Sequence, residues 1–298
     1  MLHAEGTILR EDGRAVVEIP WKSGKHALGE PGVTVVNPDA AESDRIVQKV
    51  FTRKIVYFPE ELERAIAMHI AYPDNFVISA NGYSSLKPAD LARYGIPPGA
   101  YEEAVKAMLR SAIAHLRGKF TAAQVRLVSG ASAMGVDLAI DAVAREYNIT
   151  PLGFSCPRYM LWVRDDEFPV YVAESQEAYA DRYIQSLDLL FATGGREQAL
   201  KHDVSAACIY GKRIHFVDIL SMLSPVGSVP ATVDDGHGGR RVENAAAAFG
   251  RYVSFSDVRK TVAAPPPGGD MWDALFADVA AVATEVCRGK MSPGRKFV

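Results

Sequence analysis

The chain has 298 residues, of which 48% are hydrophobic and 23% are charged, and its formal net charge is −3. This balance is typical of a soluble globular protein, and it excludes a global field that would attract nucleic acid or an anionic membrane surface. No stretch approaches the roughly 18 apolar residues of a membrane span, and the N-terminus lacks a secretory pattern. The three cysteines show neither a disulfide framework nor a metal-ligand spacing. We therefore expect a cytoplasmic protein without a metal site or a cofactor.

Residues 1–72 predict a small α+β extension that carries no chemical signature. Strand-like runs flank Glu11-Asp12-Gly13-Arg14, and an Asp-Gly pair between two such runs is a strong hairpin signal. Asp39 or Ser43 could cap a short helix that ends at Val50. A further helix is expected to begin at Pro59.

Short apolar runs alternate with helical patterns from Asn75 to about residue 222. The predicted strands are 76–80, 125–128, 149–154, 170–172, 188–192 and 213–217, and the predicted helices are 101–117, 134–147, 177–187 and 197–210. This alternation predicts an α/β domain at 73–222 with a Rossmann-like parallel sheet and helices on both faces. Residues 223–298 form a third region, in which we expect exposed loops followed by a final helix to about Cys287.

Two loops carry glycine where a predicted strand gives way to a helix. The first is Ser129-Gly130-Ala131-Ser132-Ala133-Met134-Gly135-Val136-Asp137, and the second is Thr193-Gly194-Gly195-Arg196-Glu197. Such loops lie at the carboxyl edge of a parallel sheet, where backbone N–H groups can hold a phosphate. The alternative is that the glycines only make tight turns. Asp137, in the first helical turn, could cap that helix or accept a hydrogen bond from a ribose hydroxyl.

The order and spacing of these loops resemble the SLOG superfamily of Rossmann-like nucleotide-binding domains. Residues 129–137 are similar to the S-G-G/A-x-x-G-x-D motif of its YpsA-like and DNA-processing protein A members. Thr193-Gly194-Gly195 is similar to the P-G-G-x-G-T motif of its LONELY GUY phosphoribohydrolases, and residues 78–82 stand where the first strand and loop of the family fall. The resemblance implies a nucleotide-derived ligand and a homo-oligomer.

The predicted ligand contacts all lie in three loops at the carboxyl edge of the sheet. They are Ser79, Asn81, Gly82, Ser129, Gly130, Met134, Gly135, Asp137, Thr193, Gly194, Gly195 and Arg196. The bound molecule is predicted to be a nucleotide or a nucleotide derivative, which favours a ligand-binding or sensor protein.

Two other functions stay open at this stage. The hydrolases of the family have glutamates shortly after the second glycine motif, where this chain has Ala199-Leu200-Lys201-His202. Arg182 and Glu197 could nevertheless support N-glycosidic cleavage of a nucleoside monophosphate, with the carboxylate handling water or the developing positive charge. A DNA-processing module that binds single-stranded DNA is the third reading. The weak net charge and the lack of a basic, aromatic stripe count against that reading.

For two other groups of charged residues, exposure to solvent is the favoured interpretation. Arg53 and Lys54 could touch a phosphate, and Asp165-Asp166-Glu167 could reach a divalent ion. In both cases the pattern favours charge exposed to solvent.

Overall fold

The computed structural model describes residues 3–11, 14–19, 22–27, 33–35, 46–51, 53–57, 59–61, 64, 75–83, 86, 88–121, 124–194, 199–234, 240–244, 249–250, 276 and 279–291. For residues 3–50 and 231–244 the description covers the backbone alone.

The N-terminal region forms an antiparallel sheet. Its strands are β1 (His3–Glu11), β2 (Arg14–Ile19), β3 (Lys22–Ala27), β4 (Val33–Val35) and β5 (Ile46–Val50), in the order β3-β2-β1-β5-β4. The predicted hairpin is confirmed, because Glu11 pairs with Arg14 across the turn. The predicted helix ending at Val50 is wrong. That segment is β5, which pairs with both β1 and β4, and pairing on both sides favours its β-branched residues in a strand.

A seven-stranded sheet, parallel at every pairing, confirms the predicted Rossmann-like α/β fold. Its strands are β6 (Val56–Tyr57), β7 (Phe76–Asn81), β8 (Val125–Ser129), β9 (Leu152–Ser155), β10 (Val170–Val172), β11 (Leu189–Ala192) and β12 (Arg213–Phe216), in the order β12-β11-β7-β8-β9-β10-β6. β6 belongs to the region predicted to be an extension, yet it forms an edge of this sheet. The division of the chain into three regions stays a prediction.

Helices cover both faces of the parallel sheet. They are α1 (Pro88–Arg93), α2 (Ala100–Arg117), α3 (Gly135–Glu146), α4 (Gln176–Gln185), α5 (Ser205–Ile209), α6 (Ile219–Leu223) and α7 (Val279–Met291), with 3-10 turns at Pro59–Glu61 and Pro157–Trp162 and a π-helix at Ala199–Val204. Alternate residues of each strand point to opposite faces. In β7, Phe76 and Ile78 therefore join a core with α2 and α3, whereas Val77 joins a core with α4 and α5.

The described parts of the C-terminal region include a helix and two strands. The predicted final helix is confirmed as α7, whose Val279 and Ala283 are buried in the core of the α2 face. The expected exposed loop near residue 230 is wrong in part, since β13 (Pro230–Asp234) and β14 (Arg240–Asn244) form an antiparallel pair. Among the described residues, no helix combines the length and the apolar character needed to span a membrane.

Candidate functional site

The strand order reverses at β7, which creates a topological switch point. Strands β8 to β10 continue on one side of β7, and β11 and β12 lie on the other side. The chain leaves β7 towards α2 on one face and leaves β11 towards the π-helix and α5 on the other. In open parallel sheets, ligands bind in the crevice outside the carboxyl ends of the strands at such a point. The crevice here begins at Asn81 and Thr193.

The loops that follow β7 and β11 are joined by a chain of hydrogen bonds. Tyr101 accepts a hydrogen bond from the Tyr83 N–H at 3.0 Å and donates to Oγ1 of Thr193 at 2.7 Å, and Thr193 donates to the Asn81 carbonyl at 2.7 Å. A Cβ atom on Gly82 would collide with both hydroxyl oxygens. Burial raises the pKa of Tyr101, so its hydroxyl keeps the proton that it donates. The N–H of Thr193 also donates to the Asn81 carbonyl, at 3.0 Å, so the backbone and the hydroxyl of Thr193 together join the two loops.

The second glycine loop is described only at its start. Gly194 has a φ of 99° and lies against the ring of Tyr83, so the backbone adopts a conformation that favours glycine. Gly195, Arg196 and Glu197 lie outside the described residues, and their ligand-binding and catalytic roles stay predictions.

The first glycine loop holds a carboxylate of its own. Asp137 accepts hydrogen bonds from the Gly130 N–H at 2.8 Å, the Ser132 N–H at 3.2 Å and the Ser132 hydroxyl at 2.7 Å. A Cβ on Gly130 would lie 2.7 Å from this carboxylate. The close approach that Gly130 permits is thus made by Asp137, and a phosphate would have to displace that side chain to reach the same amides.

Other predicted contacts in this part of the site are also used internally. Ser129 donates to Asp141 at 3.1 Å and accepts from the Ala131 N–H at 3.1 Å. Ser79 is fully buried, donates to the Val128 carbonyl at 2.5 Å and pairs with the Tyr183 hydroxyl at 2.6 Å. Ser79 therefore ties α4 to the sheet. Ligand binding by these serines stays a prediction.

A polar cluster lies at the switch point on the α4 face, and we name it the Asp203 cluster. It consists of Asn81, Asp137, Tyr179, Tyr183 and Asp203. Nδ2 of Asn81 donates to Oδ2 of Asp203 at 3.4 Å. Both carboxylates act electrostatically on both tyrosine hydroxyls. Asp137, Tyr179 and Asp203 are each partly exposed, so a ligand can contact this cluster.

The acid groups of the cluster are shifted towards their neutral forms. Burial, helped by the neighbouring Asp137 charge and opposed by the Asn81 hydrogen bond, raises the pKa of Asp203 to about 7. Burial also raises the pKa of Asp137, although its hydrogen bonds with Ser132 and Gly130 oppose the shift. A carboxyl group such as Asp203, whose pKa is strongly shifted and which lies in a crevice, is a candidate functional group.

Aromatic rings surround one side of the cluster. The rings of Tyr179 and Tyr183 are stacked with centroids 6.0 Å apart and an interplanar angle of 12°, and Tyr159 meets Tyr179 edge-on at 5.7 Å. Tyr159 and Tyr179 are both partly exposed. The rings form an aromatic wall beside two carboxyl groups, an arrangement suited to a flat, hydrogen-bonding heterocycle.

Asp203 is the residue that the sequence analysis did not assign. We expected a regular helix over 197–210, but the described part begins as the π-helix that carries Asp203 and continues as α5. Wide turns of this kind are frequent at functional sites. One signal was present: Asp203 stands four residues before Ala207, which is buried, and residues at this spacing lie on the same face of a helix.

Arg182, proposed as the partner of Glu197, is an exposed residue in the last turn of α4. The next two residues, Tyr183 and Ile184, are the ones that this helix buries. Among the described residues, Arg182 makes no hydrogen bond or ion pair with the Asp203 cluster, and its catalytic role stays a prediction.

A separate groove lies on the α2 face of the sheet. It has a volume of about 600 Å³ and lies at the N-terminal ends of α2 and α3, where Met134 and Gly135 line it. Glu102 and Glu103, in the first turn of α2, also line it. These carboxylates already complement the helix dipole and repel a phosphate. The groove is therefore a poorer anion site than its helix ends alone would indicate.

Two of the charged residues interpreted as solvated, Lys54 and Asp166, belong to a partly buried ion network instead. Nζ of Lys54 lies 2.5 Å from Oδ1 of Asp166, whose Oδ2 lies 3.0 Å from Arg164 and 3.1 Å from Arg145, and Arg164 also pairs with Asp141. Burial alone would raise the pKa of Asp166, but the hydrogen bond and charge of Lys54, together with Arg164, hold it below its usual value. The interpretation as solvated charge is wrong for Lys54 and Asp166, because both residues are buried. Their network fastens the edge strand β6 to the body of the sheet. Within the described part of the chain, no group of residues is arranged to hold a metal ion.

Comparison with known proteins yields a distant structural likeness. No protein-family model matches the chain, and no curated protein matches it. Matches among solved structures include the molybdenum cofactor carrier protein from Chlamydomonas reinhardtii, which is 15% identical and has a TM-score of 0.41, with 70% of this chain and 99% of that chain covered. A likeness at this level supports no argument about function, and membership of the SLOG superfamily stays a prediction.

Proposed function

We propose that this protein binds a small molecule of the nucleotide type at the switch point between β7 and β11. The observation that carries the proposal is the Asp203 cluster, which places two carboxyl groups, an amide and two tyrosines where the strand order reverses. Crevices at this place in parallel sheets are the usual ligand sites of the fold.

Asp203 differs from the carboxylates of Asp141 and Asp166 in the ion pairs and hydrogen bonds that it makes. Asp166 pairs with three cations, and Asp141 pairs with Arg164 and accepts from Ser129. Among the described residues, Asp203 has one long hydrogen bond, from Asn81, and no cation beside it. A shielded carboxyl group that is under-satisfied costs stability, which is expected where a ligand completes its hydrogen bonds.

The charges of the cluster suggest which end of a nucleotide it receives. Two nearby carboxyl groups repel a phosphate but attract the N–H donors of a heterocyclic base. The base would then lie over Asp203 beside the tyrosine rings, and the phosphate would reach the predicted loop at Gly194–Glu197, where Arg196 offers a guanidinium. This orientation keeps the second glycine loop as the phosphate site and moves the first loop to a supporting role.

Thermal unfolding with a panel of nucleosides, nucleotides, NAD derivatives and cyclic dinucleotides tests the proposal, since a ligand that binds the folded state raises the midpoint. We expect at least one stabilising ligand, whose effect is lost in Asp203→Ala. Asp181→Ala is the matched control, because Asp181 is an exposed carboxylate on α4. If no compound stabilises the protein at millimolar concentration, the proposed function is wrong.

N-glycosidic cleavage is the second candidate function, and the place of the partly exposed Asp203 beside Asn81 in the crevice favours it. A carboxyl group with a pKa of about 7 can both give and accept a proton near neutral pH, as a general acid–base catalyst must. Release of free base from a nucleoside monophosphate, measured by chromatography, would establish this activity. Loss of that release in Asp203→Asn would assign the proton transfer to Asp203.

A further inference from the structure

We propose that Asp203 reads the edge of a 2-amino-4-oxopyrimidine ring, the group shared by guanine and the pterins, with Asn81 holding the carboxylate in place. This inference rests on the proposed function and names the ligand class of the same site. It goes beyond the general nucleotide site, because it predicts which base is selected and by which atoms.

The hydrogen-bonding chemistry of a carboxylate narrows the choice of base. Two N–H donors favour the ionised form of Asp203 over the protonated form. An ionised carboxylate only accepts hydrogen bonds, and its two oxygens can accept two parallel N–H groups. A 2-amino-4-oxopyrimidine ring presents two adjacent donors, the ring N–H and the exocyclic amino group. The adenine and cytosine edges set an acceptor beside their amino group, and uracil has one ring N–H between two carbonyl groups. The guanine-type edge is therefore the natural complement of Asp203.

The surroundings of Asp203 support a donor-rich ligand. No cation of the described residues pairs with this carboxyl group, while the charge of Asp137 adds to the local negative potential. Two N–H donors would relieve that potential, whereas a phosphate or a carboxylate ligand would increase it. Nδ2 of Asn81, 3.4 Å from Oδ2 of Asp203, orients the carboxylate from the β7 side.

The aromatic side chains provide a surface for the ring plane. Tyr159 and Tyr179 are partly exposed and meet edge-on at 5.7 Å. Stacking of a base on an aromatic ring stabilises complexes with any base, so these tyrosines add affinity without selecting the base. Selection therefore falls to Asp203.

Isothermal titration with matched bases above pH 7, where Asp203 is ionised, tests the assignment in the full-length protein. Guanosine should bind better than inosine, which lacks the amino group, and better than 1-methylguanosine, in which the ring N–H is blocked. Each lost donor to a charged acceptor should weaken binding by about 10- to 100-fold. The dissociation constants of a pterin and of GMP, measured in the same way, distinguish the two sources of this ring. The compound that binds more tightly identifies the class of the ligand.

Asp203→Asn provides the decisive variant, because it keeps the shape and replaces one acceptor oxygen by an N–H donor. We expect it to lose guanosine and to gain xanthosine, in which a carbonyl group replaces the amino group. The control Asp181→Asn should keep the wild-type preference, and the thermal midpoint of each variant shows that it is folded.

The possible failures of the two proposals differ. Equal binding of adenosine and guanosine, or a preference unchanged in Asp203→Asn, would overturn the base assignment and leave the nucleotide site standing. An absence of binding by every nucleoside, nucleotide and pterin would overturn both proposals.

Discussion

Replacing Asp203 by Asn should stabilise the folded protein, and the gain should grow with pH. The folded protein raises the pKa of this carboxyl group from its ordinary 3.8 to about 7, mainly through burial. An acid whose pKa is raised on folding favours folding while it is protonated. Its destabilising effect appears as the pH rises above 3.8 and is complete above about 7. The asparagine variant carries no such charge and lacks this loss.

The size of the effect follows from the shift. Each pKa unit corresponds to about 1.4 kcal/mol, so a shift of about three units sets a ceiling of about 4 kcal/mol. Asp203 is partly exposed, and solvent screening reduces the expected gain above neutral pH to roughly 2 kcal/mol. The amide oxygen of asparagine can still accept the hydrogen bond from Asn81, so the substitution should remove little besides the charge.

Urea unfolding at about pH 4.5 and about pH 8 measures the difference in unfolding free energy between the variant and the wild type. Most of the pH dependence caused by Asp203 falls between these two pH values. The variant should exceed the wild type by a clearly larger margin at the higher pH. Asp137 titrates in both proteins, so its contribution largely cancels in the comparison. A variant that is less stable at high pH, or a margin independent of pH, would show that Asp203 is well solvated and would refute the reasoning.

Three further predictions concern the frame of the site and its chemistry. Thr193→Val should destabilise the protein by about 1–3 kcal/mol, because it leaves the buried hydroxyl of Tyr101 without its acceptor. Thr193→Ser should retain most of that stability in urea unfolding, and equal losses would contradict the hydrogen-bond chain. Lys54→Met should cost about 3 kcal/mol or more, since it breaks a buried ion pair, whereas Lys106→Met, which removes a more exposed pair, should change the unfolding free energy by less than about 1 kcal/mol. Should the protein release base from a nucleoside monophosphate, Arg182→Ala and Glu197→Ala are expected to lower the rate. A rate unchanged in both variants would rule out that catalytic pair.

The alternation of apolar and helical patterns predicted the fold because both signals are local. A strand buried on both faces needs a short apolar run, as in 189–192, and an amphipathic helix needs apolar residues every three or four positions, as in α2. The right-handed crossover rule then leaves few arrangements. Gly135 and Gly194 have a positive φ, a conformation that glycine adopts without strain.

The partners of the polar groups could not be predicted in the same way. The sequence shows that Gly130 permits a close approach, but the approaching group is Asp137, where a phosphate was an equally good expectation. Lys54 and Asp166 stand in polar segments that look like solvated loops. They are buried together only because β6 packs at the edge of the sheet beside the loop that carries Asp166. β5 likewise becomes a strand because two other strands offer it backbone hydrogen bonds.

The sequence by itself determined the order of the elements and the presence of two glycine loops at one edge of a parallel sheet. The tertiary structure decided which groups meet at that edge. Asn81 and Asp203 are 122 residues apart, and they meet because β7 and β11 are neighbours at the switch point. The shifted pKa of Asp203 has the same origin, since burial and the charge of Asp137 depend on how separate segments pack, which no local pattern encodes.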